Sequence, residues 1–139
     1  MLFDEAEAAL RGWIPGDPAA LYRAAITASM QYYGIPDATI AAYLATPRVA
    51  YDPAKAMSQI ALQRWIALYN EGSEAYSEWR RTGVPALKAG PGAITSPREV
   101  ARRSLYPSSE QSFNNANLQA AVARQGNVGL LGRVWWDKP

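Results

Sequence analysis

The sequence predicts an all-α protein of antiparallel helix pairs in tetratricopeptide-like packing, with a long irregular Pro/Gly-rich segment and a docked C-terminal tail. Three observations carry this. Twenty-six of the 139 residues are Ala, the strongest helix former. Two Asp-Pro steps, Asp17-Pro18 and Asp52-Pro53, place a capping carboxylate beside a proline at the first helical position. No stretch of useful length alternates apolar and polar residues with the period of a strand.

The elements follow from punctuation and period. Asp4 is placed to cap a first helix from Glu5 to about Arg11, with Ala6, Ala9, Leu10 and Trp13 on one face. Asp17-Pro18 opens a second, in which Leu21, Ala24, Ala25, Ala28 and Tyr32 recur at helical spacing until Gly34. Ile35-Pro36-Asp37 restarts the chain, Ile40, Tyr43 and Leu44 form a short face, and Pro47 closes it. Asp52-Pro53 opens the strongest helix, with a wide apolar stripe of Met57, Ile60, Ala61, Trp65, Leu68 and Tyr69. Gly72 breaks it, Ser73 caps, and Glu74 to Arg81 forms another short helix that ends at Gly83.

Beyond Gly83 the punctuation changes. Pro85, Pro91, Pro97 and Pro107 with Gly90 and Gly92 exclude one regular element there. Ser108 or Ser109 caps a last helical region, broken near Asn114-Asn115, that runs through Leu118, Ala121 and Val122 to Gln125-Gly126. The tail from Leu130 to Asp137 is apolar and leans towards strand. Two regions are therefore expected: 1–83, of helix pairs, and 84–139, loop-rich with a late helix and the Trp-Trp tail, packed as one domain with the first. The helix pairs show no 34-residue self-similarity, so a regular repeat array is not supported.

Composition narrows the function. With 49% apolar and 19% charged residues the chain is globular. It has no His and no Cys, which excludes Ser-His-Asp and Cys-His catalysis, the usual zinc sites, haem ligation by those residues, Fe–S clusters and disulfides. No cofactor is expected. The net charge of +2 is concentrated around Arg80-Arg81 and Arg98 to Arg103 and lacks the dense basic stripe of a nucleic-acid binder, so no nucleic-acid partner is expected. No segment approaches the ~20 apolar residues that span a bilayer, and the early acids Asp4, Glu5 and Glu7 do not fit a signal peptide.

Carboxylates are the remaining catalytic option. Glu74 and Glu78 share a helix face at i, i+4, where two outward carboxylates read as a solvated surface, with Arg81 in reach of pairing; a glycosidase needs them facing each other across a sugar. Nothing in the spacing of Glu110 or Asp137 argues for a raised pKa. Trp79-Arg80-Arg81 has two readings: an indole and guanidinium forks that hold a sugar or carboxylate ligand, or a core ring with arginines on the last helix carbonyls. Trp135-Trp136 likewise reads as an exposed stacking platform or as a tail anchor. Asn114, Asn115 and Asn117 with Gln111 and Gln119 suit sugar hydroxyls, or local capping beside a helix break.

Four stretches in order carry a family resemblance. They are Glu5-Ala6-Glu7-Ala8-Ala9-Leu10-Arg11-Gly12-Trp13, then Gln63-Arg64-Trp65-Ile66-Ala67-Leu68-Tyr69, then Glu74-Ala75-Tyr76-Ser77-Glu78-Trp79-Arg80-Arg81-Thr82-Gly83-Val84-Pro85. The last runs from Tyr106-Pro107-Ser108-Ser109-Glu110-Gln111 through Asn114 to Asn117 and on to Arg133-Val134-Trp135-Trp136-Asp137. Their order and spacing resemble the C-terminal part of the SusD/RagB-like outer-membrane lipoproteins of Bacteroidetes. Family members are several times longer and begin with a lipoprotein signal ending at an acylated Cys, so the resemblance implies a C-terminal portion of a larger protein. The stretch Gly126 to Gly129 departs from the acidic turn expected there.

The resemblance implies binding without catalysis: a ligand-capturing lid on a TonB-dependent outer-membrane transporter that presents glycans or other nutrients, at the periphery of the outer membrane. Trp79, Arg80, Arg81, Trp135 and Trp136 are the candidate ligand-binding residues, although Trp79 to Gly83 also looks like a signature of the family fold. The alternative is a freestanding helical module that binds a peptide segment in a groove. If upstream helices normally cover the stripe of Met57, Ile60, Trp65 and Leu68, the isolated fragment is expected to self-associate or to be marginally stable.

Overall fold

The computed structural model describes residues 1–126 and 128–137. Among them the secondary structure is entirely helical, and the chain divides into two compact units, Met1–Pro85 and Ala86–Pro139.

The first unit contains α1 (Leu2–Leu10), α2 (Pro18–Tyr32), α3 (Asp37–Leu44), a 3₁₀ turn (Pro53–Lys55), α4 (Ala56–Ala67) and α5 (Gly72–Thr82). Helix α1 packs on α2 and on α4, and α4 packs on α5. The core is built from the faces the sequence periods define: Phe3 and Ala6 of α1, Tyr22, Ala25 and Ile26 of α2, Val49, and Ile60 of α4. Ala6 and Ala25, both buried, are small enough for α1 and α2 to approach closely. The Tyr22 hydroxyl donates to the Val49 carbonyl at 2.8 Å, so this buried polar group is satisfied and the α3–α4 connection is tied to α2. Burial pushes the Tyr22 phenol up to about 12.

Helix ends depart from expectation where a local signal competes with a tertiary one. The Asp17 carboxylate caps α2 as predicted, accepting from the Ala19 N–H at 2.9 Å. Asp52 does the same for Ala54 at 3.0 Å, yet it opens only the 3₁₀ turn, and regular α-helix starts at Ala56. Asp4 caps nothing: α1 already begins at Leu2, and Asp4 pairs with the Met1 ammonium at 3.2 Å and with Arg64 at 2.8 Å. Helix α5 starts at Gly72 without a Ser73 cap. It ends as predicted at Gly83, whose φ of 71° is the left-handed conformation of a helix stop.

The predicted stripe of α4 is only partly core. Ile60 and Ala61 are buried, Met57, Trp65 and Leu68 are half-buried, and Tyr69 lies past the helix end, 84% exposed. A polar residue, Gln63, takes a buried place instead, its Oε1 accepting from the Tyr43 hydroxyl at 3.1 Å.

In the second unit the predicted irregular segment runs to Pro107, followed by α6 (Ser108–Phe113) and α7 (Asn115–Gln125). The break falls at Asn114, whose φ of −137° closes one helix and opens the next. Pro107, not a serine, holds the N-cap of α6. The described tail contains turns and no strand, so its apolar composition does not produce the β structure it leans towards. It is docked by charge. Asp137, 1% exposed, accepts from Arg102 Nε at 2.6 Å and from Arg133 Nη1 at 2.8 Å, and also pairs with Arg102 Nη2. The Arg102 N–H adds a bond to the Leu130 carbonyl at 2.7 Å. Of the stretch that departs from an acidic turn, Asn127 lies outside the described residues.

Candidate functional site

Trp79, Arg80 and Arg81 sit together on the last turn of α5, in the first unit. Trp79 is 6% exposed and stacks on Tyr76, centroids 5.9 Å apart and planes at 27°. The Arg80 guanidinium lies 4.5 Å from the Tyr76 ring centre. With its faces buried, Trp79 has no platform to offer a sugar. Arg81 forks onto Glu7, Nη1 to Oε1 at 2.8 Å and Nη2 to Oε2 at 2.6 Å, and reaches Glu78 through Nη2 at 2.8 Å and Nε at 3.1 Å.

Glu78 is therefore not part of a solvated face. It is 4% exposed and lies 3.4 Å from Arg64, which also holds Asp4, while Glu74 stays exposed. The i, i+4 spacing that made the two glutamates look alike hides that only Glu78 faces α1. Arg11 completes the set, its Nε donating to Glu7 at 2.9 Å. The ions of α1, α4 and α5 thus form one continuous network along a cleft of about 580 Å³ with Trp13 at its edge.

The network keeps the Glu7 carboxylate charged. Burial alone would push the Glu7 carboxyl up, but hydrogen bonds from Arg81 and Arg11 overcome it and hold the group below its ordinary value. Arg81 moves the other way: its hydrogen bonds to Glu7, and then to Glu78, raise it further against the effect of burial. A carboxylate held ionised in this way is a poor proton donor, unlike the raised carboxyl of a hydrolase acid. Among the described residues no group of three or more acids is placed to hold a metal ion.

Trp135 and Trp136 belong to the second unit and part company there. Trp135 is 84% exposed and Trp136 is half-buried, so the tail is anchored through Asp137 while one indole is left to solvent. The amides flagged in the sequence also divide. Asn114 Nδ2 donates to Glu110 at 2.8 Å, and Asn117 Nδ2 donates to Asn114 at 2.6 Å, so these two amides are engaged by neighbouring side chains across the helix break. Gln111, Asn115 and Gln119, four residues apart, line one wall of a cleft of about 350 Å³. Its other walls include Tyr106, Val122 and Val128. Tyr106 is held in place: Gln125 Nε2 donates to its hydroxyl at 2.6 Å, and the Arg103 guanidinium lies 5.3 Å from its ring centre.

Sequence reasoning had no reason to select Tyr106, because its place in a cleft depends on a residue 19 positions away. The wall opposite was available in principle as the 111, 115, 119 spacing, which puts three amides on one side of a helix even across a one-residue break.

Comparison with known proteins follows the same line. The profile of the SusD-like family described as "Starch-binding associating with outer membrane" matches residues 1–107. Among solved structures, a SusD-like protein from Bacteroidetes is 31% identical with a TM-score of 0.88, over 99% of this chain and 29% of its own. A SusD homologue from Bacteroides fragilis is 31% identical at a TM-score of 0.79, over 99% and 34%. A chitin-binding SusD homologue from Flavobacterium johnsoniae is 31% identical at 0.77, over 99% and 35%. The chain thus spans about a third of the length of these relatives. No curated protein matches it.

Proposed function

This chain belongs to the SusD-like family of starch-binding, outer-membrane-associated proteins, and from that premise we propose that it is the C-terminal portion of a nutrient-binding protein of an outer-membrane uptake complex, taking neutral glycans without transforming them. The observation that carries this is the match over 99% of the chain to solved SusD-like structures, one of them of a chitin-binding protein. The partner is a TonB-dependent transporter, and the protein sits at the periphery of the outer membrane.

Within the chain, ligand contact falls to the second unit. Trp135 offers an indole to solvent, and the cleft beside α6 and α7 offers amides, a tyrosine and apolar walls. Trp79 and Arg81 support the fold of the first unit, and Arg80 is placed on Tyr76. Stacking of a sugar's C–H face on an indole, with hydrogen bonds from neutral amides, involves no ion release. Affinity for a neutral oligosaccharide is therefore expected to be nearly independent of salt.

The test is calorimetric titration of the chain with neutral oligosaccharides of the starch and chitin types at 50 and 500 mM NaCl. Saturable binding at both salt concentrations supports the reading. Absence of binding to every neutral glycan, with anionic ligands that bind and are released by salt, overturns it.

A further inference from the structure

We propose that the cleft beside α6 and α7 is a subsite for a 2-acetamido sugar, with the carboxamides of Gln111, Asn115 and Gln119 recognising the acetamido group and the apolar walls taking its methyl. The inference rests on the glycan-binding reading above and deepens it by naming the class of sugar.

The chemistry of the walls makes the selection. A pyranose hydroxyl can be served by almost any polar side chain, so a site for plain glucans has no need of three carboxamides. An acetamido group differs: it is planar, with an N–H donor and a C=O acceptor, and it ends in a methyl. A carboxamide presents the matching acceptor and donor. Gln111, Asn115 and Gln119 put three of them in the lining; Asn115 Nδ2 donates to the Gln111 carbonyl at 3.3 Å and leaves its Oδ1 to accept, and the local bonds that engage Asn114 and Asn117 do not involve Gln119. Apolar side chains border them: Leu118, which is buried, and Val122 and Val128, which are half-buried.

The cleft is also short of charge. None of its described lining residues is ionisable apart from the Tyr106 phenol. The Arg103 guanidinium lies over the Tyr106 ring and donates to Gln125 Oε1 at 3.2 Å. A uronic acid or a sulfated sugar would meet no free cation among these walls, and a deacetylated amino sugar would meet no carboxylate. The arrangement favours an uncharged ligand with its own amide.

Discrimination is limited because the three amides are exposed. Water replaces the lost contact when the acetamido group is absent, so each unmade bond counts at its modest net value. One such bond together with the methyl contact corresponds to a preference of about tenfold.

The experiment titrates the full chain with chitotetraose, cellotetraose and fully deacetylated chitosan tetramer, and records saturation-transfer NMR spectra of chitotetraose. The acetylated oligomer should bind about tenfold tighter than either comparator, with the strongest saturation transfer at its acetamido methyl. Gln119→Leu keeps the volume at an exposed position and should abolish most of that preference with the far-ultraviolet circular dichroism unchanged. Equal affinities for acetylated and unacetylated oligomers overturn the acetamido assignment while leaving glycan binding intact. A preference that survives both Gln119→Leu and Asn115→Leu but is lost in Trp135→Ala overturns the cleft as its location. Failure of all three oligomers and of starch-type glycans overturns the functional reading itself.

Discussion

Arg81→Ala tests what holds the first unit together. The wild-type guanidinium bridges two carboxylates that are nearly inaccessible, Glu7 and Glu78. Removing it leaves both acids buried, with Arg11 still on Glu7 and Arg64 at 3.4 Å from Glu78. Breaking a fully buried pair costs about 3–5 kcal/mol. Here the Arg81 side chain retains 35% exposure, and two other arginines remain, so solvent screening and residual pairing reduce the figure to about 2 kcal/mol. Urea denaturation followed at 222 nm reads this directly.

The pH dependence separates charge from packing. Glu7 is held below its ordinary value of 4.5 in the folded state, so its contribution is present above that value and is lost as pH falls through the lowered folded one. In Arg81→Ala the same carboxyl is buried with less compensation, and protonating it relieves the strain. The gap of about 2 kcal/mol between wild type and variant at pH 7 should therefore narrow by at least about half at pH 4. Adding Glu7→Gln and Glu78→Gln to Arg81→Ala should restore about half of the loss at pH 7 by the same logic. A gap that stays constant from pH 7 to 4, or a triple variant no more stable than Arg81→Ala, refutes the electrostatic account and leaves only the lost contacts of the arginine stem.

Three further outcomes follow from single contacts. Tyr22→Phe leaves the Val49 carbonyl without its 2.8 Å donor and should cost about 1–2 kcal/mol in urea denaturation; spectrophotometric titration should show one tyrosine ionising near 12 in the wild type and absent in the variant, with the associated stability complete below 10 and lost as pH rises towards 12. Asp137→Asn weakens the bonds from Arg102 and Arg133 and should cost about 2 kcal/mol in the second unit, seen as faster tryptic cleavage after Arg133 at neutral pH. Trp135→Ala removes a ring that is 84% exposed; stability should stay within about 0.5 kcal/mol of wild type, while affinity for a neutral oligosaccharide falls about tenfold in calorimetric titration.

The helix pairs were legible because their signals are local. Asp17-Pro18, Gly34 and Gly83 act through the backbone of their own neighbours, and the structure keeps each where the sequence puts it. Asp4 and Asp52 show the limit. The same carboxylate that caps α2 is drawn in Asp4 to Arg64, a residue 60 positions away, and no local pattern records that. Glu78 departs from a solvated face for the same reason: helical spacing says which residues share a face, not whether another helix covers it. The tail read as apolar because its two indoles dominate its composition, whereas one buried carboxylate determines how it docks.

The arginines explain how a chain with more bases than acids can carry a cleft whose described lining is almost without charge. Arg11, Arg64 and Arg81 face Asp4, Glu7 and Glu78. Arg102 and Arg133 face Asp137, and Arg103 lies on Tyr106. Arg64 and Arg81 thus join one helix to another and Arg102 joins the tail to its own unit, while the described residues lining the second cleft are amides, apolar side chains and the Tyr106 ring. Internal ion networks and an uncharged binding wall are complementary consequences of one composition. With neither His nor Cys, the chain has no side chain that titrates near neutral pH without perturbation, and the Glu7 carboxyl is moved down, away from neutrality. On the function proposed above, shape, stacking and neutral hydrogen bonds are expected to hold the ligand with little change across the physiological pH range. Constant affinity of that kind suits the capture role proposed above, and a calorimetric titration repeated at pH 6 and 8 should give the same affinity.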